Sequence, residues 1–292
     1  MTVLEVIQRS TEFLNRRGVE SPRLQVELLL AHVLRLPRMQ LYLNFERVLT
    51  PVDLDLVRSL VQRRARREPL QHIVGTACFC GLEFKVNRDV LVPRPETELL
   101  AEAGWKFLWQ RKVAGAVPLL ALDFGTGSGC LAVTVACRCP EVRVVALDIS
   151  VAALAVAREN AARHGVEERV EFRQAAGFDQ MPAGEAFDLI LANPPYIASA
   201  EVDTLEPEVR DFDPRLALDG GADGLDYFRL LARDAGARLQ AGGQLLLEFG
   251  EGQAEAIRAI FQGQGWRNGR VEKDYTGRER FLAVERNAAE EN

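Results

Sequence analysis

Histidine is scarce in this chain: His32, His72 and His164 are the only three in 292 residues. That shortage counts against Ser-His-Asp hydrolysis and against catalysis built on an imidazole base. It also counts against a zinc centre, because the five cysteines bring no histidine partners with them. Cys78 with Cys80, and Cys137 with Cys139, are each separated by one residue, a tighter spacing than structural zinc sites usually show. No metal is expected, and the cysteines read as free, reduced thiols, several of them packed as small hydrophobes. No apolar run approaches the ~18 residues that a membrane span requires. The start, Met1 to Phe13, carries Glu5 and Arg9 and has no long apolar stretch. A soluble, cytoplasmic protein is the expectation. Positive charge is not in excess either: 36 Lys and Arg against 42 Asp and Glu leave a net charge of −6, unlike the usual footprint of a duplex-DNA binder. What the chain does have is 48% hydrophobic residues, ample for a packed core, which excludes a fully disordered chain.

The first ~70 residues read as a small domain of about four helices. Thr2 with Glu5 forms a capping-box pattern, and Gly18 stops a helix over 3–17. Ser21-Pro22 restarts one, with Ser21 as cap and Pro22 at the first helical position, and Thr50-Pro51 repeats the signal. That third helix ends in the basic cluster Arg63-Arg64-Ala65-Arg66-Arg67, which is either a solvated helix end or a docking patch. Phe79, Phe84, Val86 and Val90, with Gly75 and Gly81 among them, suggest a hairpin connector. The expected division is a helical domain over 1–70, a connector over 71–95 and a second domain over 96–292.

From Pro118 strand and helix signals alternate, which predicts a parallel sheet with crossover helices. Strands are predicted over 119–124, 142–148, 170–173, 187–192 and 244–249, with two more around Thr276-Gly277. Helices are predicted over 98–108, 129–137, 150–164 and 225–239. The last residues, Asn287 to Asn292, are polar and expected to fray.

Three stretches carry chemistry. Asp123-Phe124-Gly125-Thr126-Gly127-Ser128-Gly129 closes the first parallel strand. Glycines there let the backbone turn sharply and approach a ligand, and the next helix adds partial positive charge. The dinucleotide pattern G-x-G-x-x-G fails because Cys130 stands where its last glycine belongs, and the Gly-Lys-Ser/Thr of a P-loop is absent. What remains, G-x-G-x-G, is a spacing typical of S-adenosylmethionine sites, although a plain tight turn would also explain it. Asp148 ends the next strand, where a carboxylate can accept both ribose hydroxyls of a nucleoside; a local capping role is the alternative. Asn193-Pro194-Pro195-Tyr196 follows the fourth strand, at the end where open α/β sheets bind ligands. Its two prolines remove backbone donors. The Asn193 side-chain oxygen and the Pro194 carbonyl then form an acceptor pair suited to a planar –NH2 group, with Tyr196 as a flat neighbour.

Together these stretches resemble class I S-adenosylmethionine-dependent methyltransferases that act on an amino nitrogen. Further segments narrow the resemblance: Glu68 to Gly75, Phe79 to Phe84, Val92 to Glu98, Pro214 to Gly221 and Asp223-Gly224-Leu225 are similar to the peptide chain release factor glutamine methyltransferase family. The resemblance covers essentially the whole chain. It implies an α/β, Rossmann-like class I methyltransferase sheet with helices on both faces, preceded by a small all-helical domain and a hairpin connector. It implies S-adenosyl-L-methionine as cofactor, S-adenosyl-L-homocysteine as product, and a glutamine amide of class I release factors as methyl acceptor. The implied catalytic residues are Asn193, Pro194 and Tyr196. The implied cofactor residues are Asp123, Gly125, Thr126, Gly127, Ser128, Gly129, Asp148, Phe178 and Asn193. The implied substrate residues are Asn193, Pro194, Pro195, Tyr196, Arg94 and Glu96. One departure stands out. After its third strand the family commonly has an acidic residue and then a bulky one beside the adenine, whereas this chain reads Gln174-Ala175-Ala176-Gly177-Phe178-Asp179. Phe178 is expected to supply the flat face, with the carboxylate missing or displaced to Asp179. Two rival readings stay open at this stage: an adenine-N6 nucleic-acid methyltransferase, and a non-catalytic cofactor-binding adaptor.

Overall fold

The computed structural model describes residues 1–286; the Asn287 to Asn292 tail, expected to fray, lies outside the described residues. The contacts divide the chain into two compact units. One comprises residues 1–76 together with 206–212, and the other residues 77–205 and 213 onward. The return of 206–212 to the first unit is a feature the sequence did not announce.

The first unit holds α1 (Val3–Arg16), α2 (Pro22–Leu34), α3 (Pro51–Ala65) and α4 (Leu70–Val74), with a 3-10 turn over Arg38–Asn44. Thr2 and Glu5 form the expected reciprocal capping box, and Thr50 with Asp53 forms a second one. Ser21 does not cap α2: its backbone is left-handed, with φ of 45°, and its side chain accepts no cap hydrogen bond. Pro22 alone starts that helix. Ile7, Leu14, Leu29, Leu30 and Leu41 are fully buried among the helices.

The basic cluster is neither a free helix end nor an open patch. Arg64 is 4% exposed; its Nε donates to Gln25 Oε1 at 2.6 Å and its Nη2 to Glu208 Oε1 at 2.7 Å. Arg67 Nε reaches the same oxygen at 2.6 Å and Arg67 Nη2 reaches Glu206 at 2.9 Å. Arg63 pairs with Glu68. The Arg64 and Arg67 pairs hold 206–212, including α9 (Pro207–Arg210), within the helical unit. Burial pushes the Glu208 carboxyl up, but hydrogen bonds from Arg67 and Arg64 outweigh it and leave the group below its ordinary value.

The second unit opens with a hairpin of β1 (Thr76–Phe79) and β2 (Leu82–Lys85), turned at Cys80 and Gly81, both at positive φ. After α5 (Thr97–Val113) come β3 (Leu119–Phe124), α6 (Cys130–Arg138), β4 (Val142–Asp148), α7 (Val151–Arg163), β5 (Val170–Gln174) and β6 (Phe187–Ala192). The short α8 (Ser199–Val202), α10 (Asp226–Asp234), β7 (Leu239–Glu248), α11 (Ala254–Gly263), β8 (Trp266–Lys273) and β9 (Glu279–Arg286) complete it. The seven strands lie in the order β5-β4-β3-β6-β7-β9-β8. The first five are parallel, and β9 pairs antiparallel with both β7 and β8. Alternation along each strand feeds two apolar layers. Ala121, Val144 and Leu189 face one layer with α5 and α6, while Leu122, Val145 and Ile190 face the other with α10 and α11. This is the Rossmann-like sheet with helices on both faces. The helix expected over 225–239 ends earlier: α10 stops at Asp234, and a 3-10 turn over Ala235–Arg238 leads into β7 at Leu239. Among the described residues no helix is long and apolar enough to cross a membrane.

The Arg64–Glu208 pair yields a direct expectation. Glu208→Ala leaves a buried guanidinium without its carboxylate, so it destabilises the helical unit by on the order of 3 kcal/mol. A chemical-denaturation midpoint followed by circular dichroism measures this. A change within ~0.5 kcal/mol, the ordinary scatter of surface substitutions, contradicts it.

Candidate active site

The chain passes from β3 outward through β4 and β5 on one side, then crosses to β6 and β7 on the other. The crevice at the carboxyl ends of β3 and β6 is therefore a topological switch point, where open α/β sheets bind ligands. A cleft of some 860 Å³, partly open to solvent, lies there.

The glycine loop leaves β3 at Phe124. Gly125 and Thr126 donate their backbone N–H groups to the Leu147 carbonyl at 2.9 and 2.8 Å, which ties the loop to β4. Gly125 and Gly127 have φ of 75° and 52°, and a Cβ built on either would meet no atom within 4 Å. Both line the cleft, so their missing side chains leave room for a ligand against bare backbone. Gly129 is bare for another reason: a Cβ there would stand 3.0 Å from that of Ala157 on α7.

Asp123 sits beneath the loop, 1% exposed, and is not on the cleft wall. Its Oδ2 accepts from Thr126 Oγ1 at 2.6 Å and from Ala132 N at 3.0 Å, which pins the loop and the start of α6. Burial pushes its pKa up to about 7 against those hydrogen bonds. Thr126 and Ser128 are buried with it and do not line the cleft. Asp148 does line it. One of its oxygens accepts from Gly127 N at 2.8 Å and the other from Ser150 N at 2.9 Å. Burial pushes this carboxyl up as well, opposed by those backbone donors. A carboxylate has about four acceptor sites, so two remain for ribose hydroxyls. The local capping role and the ribose role are compatible. Bare glycine backbone beside a half-occupied carboxylate fits a nucleoside cofactor of the S-adenosylmethionine type.

Asn193, Pro194 and Pro195 line the cleft from the end of β6. The Asn193 Nδ2 donates to Thr97 Oγ1 at 3.1 Å, and that hydroxyl donates to Glu248 Oε2 at 2.7 Å. The turn is buttressed from behind. Ile197 exchanges backbone hydrogen bonds with Leu218 and Gly220, and the Tyr196 carbonyl accepts from Gln253 Nε2 at 2.8 Å. A Cβ on Gly220 would stand 2.7 Å from the Pro195 carbonyl oxygen, and one on Gly224 would stand 2.4 Å from that of Tyr196. The Asp219 to Leu225 stretch is thus moulded onto the turn.

Several expected residues lie elsewhere. Tyr196 packs into the apolar layer under the turn, away from the cleft lining, and burial pushes its phenol up to about 12. Phe178 is buried and stacked on Phe124, with ring centroids 5.2 Å apart, so it offers no face to the cleft. Asp179 is exposed in the short turn beyond it; from this loop Ala175 and Ala176 line the cleft. Arg94 donates to Asp213 Oδ2 at 2.7 Å, and burial pushes the Asp213 carboxyl up to about 6 despite that pairing. Arg94 and half-buried Glu96 are also absent from the lining. Sequence reasoning missed Tyr227, Leu216 and Val90, which do line the cleft, and the Thr97–Glu248 pair behind Asn193. The Pro214 to Gly221 motif was a usable signal for the strap that carries Leu216.

Comparison with known proteins places this arrangement. Residues 5–75 match the PrmC N-terminal domain and residues 112–208 the methyltransferase small domain. The release factor glutamine methyltransferase of Geobacter sulfurreducens is 43% identical over 96% of this chain and 95% of its own length. That of Chlorobaculum tepidum is 41% identical over 97% and 96%. Among solved structures, a methyltransferase from Pyrococcus furiosus superposes with a TM-score of 0.51 at 19% identity, covering 76% of this chain and 97% of that one. The N-terminal domain of human METTL16 in complex with SAH gives 0.51 at 13% identity, covering 70% and 75%. These two likenesses concern the fold alone. By the near full-length relatives, the chain belongs to the release factor glutamine methyltransferase family.

Proposed function

We propose that this protein transfers a methyl group from S-adenosyl-L-methionine to the side-chain amide nitrogen of the glutamine in the Gly-Gly-Gln motif of class I peptide chain release factors. The products are N5-methylglutamine and S-adenosyl-L-homocysteine. One observation carries the reading: an acceptor-lined turn, Asn193-Pro194-Pro195, opens on the cleft of a chain that matches a relative of that name over 96% of its length. The reading puts the protein in the cytoplasm with its substrate and gives the helical unit the task of recognition.

When bound, the cofactor supplies a methyl group already activated on a sulfonium. An amide nitrogen is a poor nucleophile because its lone pair is delocalised into the carbonyl, so the chain's contribution is orientation and charge. Asn193 Oδ1 accepts one N–H of the glutamine amide and the Pro194 carbonyl accepts the other. Two acceptors aim the nitrogen and stabilise the positive charge that grows on it. Pro194 and Pro195 present no backbone N–H to compete. The amide needs no prior deprotonation, and its proton leaves to water after transfer. Gly125 and Gly127 give the cofactor room against bare backbone, and Asp148 accepts its ribose hydroxyls. The face beside the adenine falls to cleft residues other than Phe178, of which Phe124 and Tyr227 are aromatic.

Labelled methyl offered with a class I release factor, duplex DNA and ribosomal RNA in parallel tests the reading: label is expected in the release factor alone, and label in either nucleic acid overturns it. Asp148→Ala is expected to weaken cofactor binding about tenfold or more, since hydrogen bonds to a charged acceptor contribute roughly 1.5–3 kcal/mol. Calorimetric affinity equal to wild type contradicts the ribose assignment. Asn193→Ala is expected to lower turnover about a hundred- to a thousandfold, as removal of a transition-state hydrogen-bond partner does elsewhere, with a steady-state assay as the check.

A further inference from the structure

Asn193 matters only if its amide presents oxygen, not nitrogen, to the cleft. The two ends of an amide are nearly equal in shape, so something must choose between them. The residues behind it make that choice. Thr97, at the first turn of α5, and Glu248, at the end of β7, are each 2% exposed. Strand register brings Glu248 up behind Asn193: Ala192 on β6 lies beside Leu247 on β7, so Asn193, just past β6, follows at the level of Glu248, the last residue of β7.

Hydrogen accounting sets the direction. An ionised Glu248 can only accept. The single hydroxyl proton of Thr97 therefore goes to Glu248 Oε2, at 2.7 Å. The same hydroxyl can then only accept from Asn193, at 3.1 Å, and only the Nδ2 end of the amide can donate. Oδ1 is left for the cleft. We propose that Thr97 and Glu248 are positioning residues, a buried proton-ordered relay that locks the Asn193 amide with its oxygen toward the methyl acceptor. The inference rests on the acceptor role given to Asn193 above.

The relay has a polarity that depends on one proton. If Glu248 carries a proton, it can donate to Thr97, the hydroxyl can donate to Oδ1, and the amide is free to turn its NH2 toward the cleft. An –NH2 facing the substrate's own –NH2 does not bind it. Burial pushes Glu248 up to about 7, with Thr97 and Arg280 pulling it down, Glu96 raising it and Arg94 lowering it; the Tyr196 phenol also senses its charge. Turnover should then fall as pH drops below neutrality, although neither the glutamine amide nor the sulfonium titrates there.

The test uses the full chain, labelled S-adenosylmethionine and a purified class I release factor. Thr97→Val is expected to lower kcat roughly ten- to a hundredfold, the scale of a misplaced reacting group, with calorimetric cofactor affinity unchanged. Thr97→Ser keeps the hydroxyl and is expected to restore most of the rate. In Glu248→Gln the acid limb of the kcat profile is expected to vanish, because nothing remains in the relay to titrate. The 15N resonance of the Asn193 side-chain amide reads the same event without turnover: it should move with pH in wild type and stay fixed in Glu248→Gln. Thr97→Val as active as Thr97→Ser overturns the relay while Asn193→Ala is inactive. An acid limb and a moving resonance that persist in Glu248→Gln overturn it even if Thr97→Val fails to fold. An active Asn193→Ala overturns the acceptor reading itself, and the relay with it.

Discussion

Two neighbouring parallel strands, β3 and β6, from which the chain departs in opposite directions, are the constraint on which the rest depends. Because neither crossover covers the gap, the carboxyl ends of these strands open into a crevice. The glycine loop, Asp148 and Asn193 all hang within one or two residues of a strand end. Their placement follows from the ladder itself, in which Phe124 lies beside Leu147 on one side and Ala192 on the other. A site assembled this way inherits the rigidity of the sheet.

The crevice stands on buried acids. Asp123, Asp213 and Glu248 lie behind or beside it, each with burial pushing its carboxyl upward, to about 7, 6 and 7. Groups whose folded pKa exceeds the unfolded value stabilise the fold below the unfolded pKa, and that contribution is lost as pH rises through the folded value. Between roughly pH 4 and 7 these three therefore make the protein less stable as pH increases. Asp274, held down at about 2 by hydrogen bonds from Thr276 and from backbone groups that outweigh its burial, works in the opposite sense at lower pH. A framework that accepts such carboxylates trades stability for polar groups in set positions, as functional sites often do.

How much of this was readable in advance depended on range. Local signals with a physical mechanism were dependable: the Thr2 and Thr50 capping boxes appear as expected, and the β3 and β6 strands match their apolar runs at both ends. Ser21 shows the limit of such a signal: its backbone is left-handed where a capping serine is extended, and its side chain accepts no cap hydrogen bond. Phe178 shows another. Its spacing suited an adenine face, but in a three-dimensional core Phe124 was its partner. The arginine cluster stayed open between two readings for the same reason: the carboxylates of Arg64 and Arg67 come from Glu206 and Glu208, far along the chain. Thr97 lay within the Val92 to Glu98 motif and Glu248 at the end of a predicted strand, but nothing local paired the two, because their contact forms only once α5 packs beside the end of β7.

The segment over 206–212 has a consequence for anyone who would take the protein apart. It belongs to the helical unit by its contacts, yet it lies in the middle of the methyltransferase sequence. The backbone therefore passes between the units three times, near residues 76, 205 and 212. No single cut separates them. A truncation before Ala77 would discard Arg64 and Arg67 and strand Glu208 with no cation. A chimera that borrows residues 1–76 from a relative would need to borrow 206–212 as well. In modular terms the helical unit is discontinuous, and it is inherited as two pieces of sequence that must be exchanged together.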